Sequence, residues 1–285
     1  MPPLPATTLR ATLGTPGAFA VIVELGTWQG GLDDPAAARR LALAAELAGD
    51  PRISAISATD NAGGHVRAGA LVQAEAIRAL GHDVLVHVAC RDRNRAALLG
   101  LGWDVLARGF ESVLALTGDY PAADPGGRAE AVFDLDSVAL LATLRELRRP
   151  GVVGPALHLG AVVDNVKRHE REVVPQYLKL ARKVREGARF VISQVGWDAR
   201  AADELQRYLR RAGLAVPALG NAFVLDRGIA RAFHAGRVPG CDVTDDLLAE
   251  VDRRAASPDR GRAWFLELAA KQVAVARGIG YAGMY

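Results

Sequence analysis

Short apolar runs rich in Val, Ile, Leu and Ala recur along the chain at about 18–25, 52–58, 83–89, 111–116, 155–162, 189–194, 215–224 and 280–285. Between them lie stretches whose apolar residues repeat at helical spacing, among them 34–48, 67–80, 134–148, 170–186 and 199–212. Gly or Pro punctuates the joints at Asp50-Pro51, Gly81, Gly109, Pro150-Gly151, Gly187 and Gly213. Continuous apolar strands separated by helices predict parallel strands buried on both faces. Eight of them in 285 residues predict an α/β fold, a (β/α)8 TIM barrel, with a doubly wound sheet as the alternative. No linker or low-complexity tract divides the chain, so 1–285 reads as a single barrel domain. The last run, GYAGMY, reads as the eighth strand with no helix after it. Either the final helix is absent or a C-terminal region follows Tyr285.

Composition narrows the classes. Half the residues are apolar and 24% are charged, which is globular and not disordered. The net charge is only +3, and no basic run is interleaved with aromatics, so nucleic acid is not an expected partner. Cys90 and Cys241 lie far apart and make neither a metal pair nor a disulfide framework, and no metal is expected. The N-terminus lacks the apolar stretch of a secretory signal, and no run approaches a membrane span. The expectation is a soluble cytoplasmic protein.

In such a barrel the functional site lies at the C-terminal ends of the strands. Those ends carry Glu24; Thr59, Asp60 and Asn61; His87; Thr117, Gly118 and Asp119; Gln194; and Asn221. Each has an ordinary structural reading. Glu24 can pair across the barrel mouth. Asp119, in Thr-Gly-Asp-Tyr-Pro, can stabilise a turn. His87 can be a hydrogen-bonded core histidine, and Thr59-Asp60-Asn61 an Asx-rich loop. Gln194 and Asn221 can satisfy backbone groups, and Cys90 can be a small buried hydrophobe. The placement of all these residues on six strand ends is what points to a site. Three of the four lysines, Lys167, Lys179 and Lys183, fall in one short region. Lys179 and Lys183 share a helix face beside Arg182. That face suits a pyrophosphate, or is a solvated face with Glu172 and Glu186 as partners.

The ordered series resembles the methylenetetrahydrofolate reductase family of flavin-dependent barrels. The pieces that carry it are Glu24, ATDNAGGHVR (58–67), HVACRDRNR (87–95), VLALTGDYP (113–121), VFDLDSV (132–138), KVREGARFVISQ (183–194) and AGLAVPALG (212–220). Thr-Asp-Asn, Cys-Arg-Asp-Arg-Asn-Arg, Leu-Thr-Gly-Asp and Phe-Asp-Leu-Asp-Ser are most similar to the branch found in acetogens and other one-carbon metabolisers. The resemblance implies interconversion of 5,10-methylenetetrahydrofolate and 5-methyltetrahydrofolate by hydride transfer from reduced FAD, the chemistry that serves methionine biosynthesis. It implies Glu24 as general acid, whose proton burial would retain by raising its pKa. It implies Asp119 as a catalytic residue beside flavin and folate, Gln194 as a folate ligand, and Thr59 near a nicotinamide. Asp60, Ala62, His87, Thr117, Gly118, Asp119 and Asp134 fall on flavin-lining positions, and Arg182 and Lys183, with Lys179, on the pyrophosphate side. NADH or NADPH as electron donor is implied, as is a homo-oligomer. So is a partner protein that donates electrons or exchanges the methyl group as a methyltransferase.

The chain departs from the family at four places. Leu25-Gly26-Thr27-Trp28 follows Glu24 where many relatives carry aromatics and prolines. Thr117 stands where arginine is frequent, AVVDNVKRHE replaces the Pro-Glu pieces after strand five, and Val195-Gly196-Trp197 follows Gln194. These departures leave two alternatives open: a folate-binding accessory subunit, and a folate hydride transferase that works without flavin.

Overall fold

The computed structural model describes residues 8–124, 127–148, 156–238 and 240–285. The predicted strand at 155–162 begins one residue outside these ranges. The eight barrel strands are β1 (Ala20–Leu25), β2 (Ala55–Ala58), β3 (Val84–Ala89), β4 (Ser112–Leu116), β5 (His158–Val163), β6 (Phe190–Ser193), β7 (Ala218–Gly220) and β8 (Gly283–Met284). They close in the order β1-β8-β7-β6-β5-β4-β3-β2, the (β/α)8 barrel expected from the apolar runs. The ten helices of the described residues are α1 (Leu9–Gly14), α2 (Pro35–Glu46), α3 (Ala70–Ala79), α4 (Arg95–Ala107), α5 (Ser137–Arg145), α6 (Glu170–Arg185), α7 (Ala199–Arg211), α8 (Arg227–His234), α9 (Asp245–Arg254) and α10 (Arg262–Ile279). Side-chain caps start many of them. Asp34 caps α2 ahead of Pro35, Asn94 caps α4, Asp136 caps α5 and Asp198 caps α7. Each accepts from backbone N–H groups that the first turn leaves unpaired.

By internal contact the chain forms two units. The first runs through Ala161 and includes Arg182–Phe190; the second comprises Val162–Ala181 and Val191–Tyr285. In the first unit β1 to β5 pair in parallel register, with Glu24 opposite Ser57, Ser57 opposite Leu85, Leu85 opposite Ser112 and Ser112 opposite His158. Paired residues face the same way, so one face of this sheet carries a row that is polar at every position but Leu85. The alternate row, Leu25, Ala58, Val86, Val113 and Leu159, is wholly apolar and buried. Gly160 is required on the polar side, because a Cβ there would lie 2.2 Å from the Phe190 ring.

In the second unit, three helices separate β7 from β8, where the strand spacing predicts one connection. The apolar residues of α8 to α10 build their own cluster around Phe233, Val243, Val251 and Phe265, which holds the extra helices. Among the described residues, no helix is long and apolar enough to cross a membrane.

Candidate active site

Arg91 organises the strand ends of the first unit. Its side chain is only 2% exposed. Nε and Nη2 donate to the two oxygens of Asp92 at 2.7 and 2.6 Å, and Nη1 donates to the backbone oxygens of Asp119 at 3.0 Å and Asn61 at 3.3 Å. One guanidinium thereby joins the loops after β2, β3 and β4. Its planar fork suits this task. Asn61 adds a bond from Nδ2 to Asp92 at 2.9 Å and accepts from the Arg67 backbone. The loop can turn this tightly because Asn61, Gly63 and Gly64 adopt positive φ. Gly64 has no alternative: a Cβ would lie 2.1 Å from the Tyr120 carbonyl oxygen.

Asp119 sits at the centre of this junction. Its carboxylate is exposed and accepts from the Gly63 backbone N–H at 3.2 Å. Asp60 is buried and bound by Arg93 at 2.6 Å and by the Ala89 N–H at 2.9 Å. Thr59 is buried and accepts from the Thr27 N–H at 3.0 Å. Thr117 donates to Ser137 at 3.2 Å at the start of α5, and Asp134 accepts from the Arg95 N–H at 2.7 Å at the start of α4. Ala62 is exposed and Gly118 is half-buried. Thr59, Asp60, Thr117 and Asp134 therefore build the loops, Gly118 packs against Arg91, whose Cβ would lie 3.0 Å from a Cβ added there, and Ala62 and Asp119 are exposed. Glu24 is exposed at the end of β1, which corrects the expectation that burial retains its proton: the polar strand end faces outward and not into the core. His87 is buried and feels the Glu24 charge, but burial dominates and pushes its pKa down to about 4. The imidazole is neutral at pH 7.

In the second unit Gln194 follows β6. Its Oε1 accepts from the Val195 N–H at 2.8 Å, which leaves Nε2 as the free end of the amide. A Cβ at Gly240 would lie 2.7 Å from that Nε2 and 3.1 Å from Asp164 Oδ2. Gly240, at φ +79°, thus brings a backbone loop onto the Gln194 amide and the Asp164 carboxylate. Asp164 pairs with Lys167. Asn221 Nδ2 donates to the Ser193 carbonyl at 3.4 Å. On α6, Lys183 is buried, Lys179 half-buried and Arg182 exposed, so the three do not form one solvated face. Glu186 pairs with Arg145 at 3.1 Å, and Glu172 accepts from the His169 N–H.

Arg91, Arg93 and Asp164 were not singled out as site residues in the sequence. The first two lie in the quoted Cys-Arg-Asp-Arg-Asn-Arg piece, and Asp164 stands at the end of β5. Strand-end position was the signal available for Asp164.

The family model for methylenetetrahydrofolate reductase matches residues 36–276. The chain belongs to the methylenetetrahydrofolate reductase family. No curated protein matches the chain. Among solved structures, a Clostridium thermocellum protein that binds two copies of 5-methyl-5,6,7,8-tetrahydrofolic acid has a TM-score of 0.58 and 12% identity, over 92% of this chain and 82% of that one. A 2,3-dimethylmalate lyase of the phosphoenolpyruvate mutase/isocitrate lyase superfamily has a TM-score of 0.54 and 14% identity, over 97% of this chain and 78% of that one. At such identities both share the fold. It is the family match, and not the barrel, that narrows the chemistry, because one barrel hosts many chemistries.

Proposed function

We propose that this member of the reductase family interconverts 5,10-methylenetetrahydrofolate and 5-methyltetrahydrofolate by hydride transfer, with FAD as cofactor. The family match over 36–276 carries the reading. The methyltetrahydrofolate bound by the Clostridium thermocellum protein is consistent with it. The loop residues fit a flat ring. Ala62 and Gly63 are exposed, and a Cβ at Gly63 would meet nothing nearer than His65 at 3.7 Å. Ala62, Gly118 and Asp119 would hold the ring edge. On α6 the exposed Arg182 and half-buried Lys179 would be the cations to meet a pyrophosphate. FAD, when bound, supplies the hydride chemistry.

The chain's own groups do the rest. Asp119 accepts hydrogen bonds from the folate ring with a carboxylate that the Gly63 N–H holds, while Arg91 anchors its backbone carbonyl. Gln194 donates through Nε2. Glu24 gives a proton to the folate nitrogen released as the methylene bridge opens. His87 is neutral at pH 7 and does not serve as the acid. NADH, NADPH or a redox partner protein would supply the electrons.

One observation favours a second reading. Asp60, Thr117 and Asp134, three side chains that the resemblance sets against flavin, are held by protein partners. Direct hydride transfer from a nicotinamide to folate would not need them. The visible spectrum of the purified protein, followed by anaerobic addition of 5-methyltetrahydrofolate, separates the readings. A flavin spectrum that bleaches supports the first. Folate turnover with no flavin bound, and none taken up from added FAD, supports the second. Neither flavin nor turnover would make the chain an accessory subunit. Glu24→Gln is expected to keep its cofactor and lose about a hundredfold in folate turnover, the low end of what a general acid contributes (about 10²–10⁴). Turnover near the wild-type rate would remove Glu24 from the mechanism.

A further inference from the structure

We propose that Arg168 recognises the carboxylate tail of the folate substrate, and that Asp242 holds that place until the tail displaces it. The inference rests on the folate reading above and concerns the second unit alone. A groove of about 1010 Å³ runs between the loops after β5 and β6 and the helices α8 and α9. Val166, Trp197, Leu247 and Leu268 are its apolar lining, and Lys167, Arg168 and Arg200 its basic residues. Gly196, two residues beyond Gln194, is part of its wall, so the groove begins close to the donor assigned to the folate ring. Beyond its ring a folate carries a benzoyl group and then a glutamate with two carboxylates. An apolar lining with cations beside it matches that order of groups.

Of the three cations, Arg168 is the one built to exchange partners. Lys167 pairs with Asp164 on its own loop, and Arg200 lies 3.6 Å from Asp198, the cap of its own helix. Arg168 instead reaches a distant segment. Its Nη2 donates to Asp242 Oδ1 at 2.6 Å and its Nε to Oδ2 at 3.4 Å, the two-point fork with which arginine takes a carboxylate. The Arg168 side chain is 62% exposed and that of Asp242 29%, so a competing carboxylate can reach the guanidinium. An ion pair this open to water is held weakly. Asp245 and Glu172 already act on the same guanidinium at longer range, so a tail carboxylate replaces Asp242 and does not join it. Asp242 is also two residues from Gly240, whose backbone closes on the Gln194 amide and on Asp164. Drawing Asp242 off Arg168 loosens that contact, and Gln194 Nε2 is uncovered for the ring. The tail is then both a ligand and the trigger that exposes the ring donor, at the expense of one internal ion pair.

The test is calorimetric titration of the full chain with 5-methyltetrahydrofolate and with its dimethyl ester, in which both tail carboxylates are neutral. Anaerobic, reducing conditions keep hydride on the ligand. The parent chain is expected to bind the free acid about fivefold more tightly than the ester, near the top of the range for a part-exposed ion pair. Arg168→Gln is expected to bring the two ligands within about twofold of each other. Asp242→Asn removes the internal competitor and is expected to tighten the free acid by about threefold. The two variants thus move affinity in opposite directions, which a merely structural ion pair would not do. Equal binding of acid and ester by the parent chain would overturn the proposal and leave the folate reading standing. So would a preference that survives Arg168→Gln, or no gain in Asp242→Asn. Binding of neither ligand would remove the folate reading and this inference together. The acid–ester comparison on the parent chain stands even if a variant does not fold.

Discussion

Replacing Arg91 by methionine keeps a long side chain and removes the guanidinium that joins three loops. Four hydrogen bonds go with it: two to Asp92, one to the Asp119 carbonyl and one to the Asn61 carbonyl. The Asp92 side chain is 28% exposed and keeps its bond from Asn61, so water recovers part of its solvation. The charged pair then contributes about 1.5–3 kcal/mol and each carbonyl bond about 0.5–1.5 kcal/mol, so the loss is about 2.5–6 kcal/mol, and the solvation that Asp92 recovers puts it toward the lower end, near 3 kcal/mol. Arg91 holds the Asp92 carboxyl below its usual range, chiefly through the side-chain hydrogen bond. That contribution is complete above the ordinary carboxylate pKa near 4 and is lost as pH falls through the lowered one. Urea unfolding followed by circular dichroism at pH 7.5 measures the full effect. Arg91→Lys keeps the charge without the fork and is expected to lose about half as much. Because Asp119 loses its backbone anchor, folate KM is expected to rise at least tenfold in Arg91→Met. A destabilisation under about 1 kcal/mol with unchanged KM would refute the view that one buried guanidinium sets the loops.

Gly64→Ala places a methyl group against the Tyr120 carbonyl and demands φ +81° of a residue with a Cβ. A loss of about 1–2 kcal/mol from the backbone alone is expected, with folate KM raised as Gly63 draws away from Asp119. An unfolding midpoint and KM equal to those of the parent chain would show that the two loops are not in contact. Acid is expected to weaken the fold early. Burial holds both His87 and His158 near a pKa of about 4, below the unfolded value of 6.5. The unfolded chain takes up their protons first, so stability falls as pH drops through 6.5 toward 4, by about 2 kcal/mol per histidine between pH 7 and pH 5. Asp83 acts in the opposite sense, since burial raises it to about 6 and its protonation favours the folded chain by roughly 1.4 kcal/mol over the same interval. The histidines prevail. Stability that stays level or rises from pH 7 to pH 5 would contradict this balance.

The strands were legible because a strand buried on both faces must be apolar at nearly every position, and such a run stands out against helical spacing. The β3 run at 83–89 and the observed strand Val84–Ala89 differ by one residue. Helix starts were legible for a local reason too, since a cap such as Asp198 bonds within its own turn. The ring of strand-end residues followed from the fold, and the motif series led to the family that the comparison established. What the chain alone could not reveal was which strand-end groups remain free. Asp60 and Asp119 look alike as carboxylates after a strand. Arg93, thirty-three residues beyond Asp60, binds it and leaves Asp119 exposed. In the same way Arg91 stands in the sequence as one arginine of the Cys-Arg-Asp-Arg-Asn-Arg piece, and only the structure shows three loops joined to it. Lys183 reads as a surface cation until helix packing buries it. Periodicity and capping are set by neighbours within a few residues, so the sequence determines them. Burial and pairing of charges depend on contacts between distant segments, and only the tertiary structure decided those.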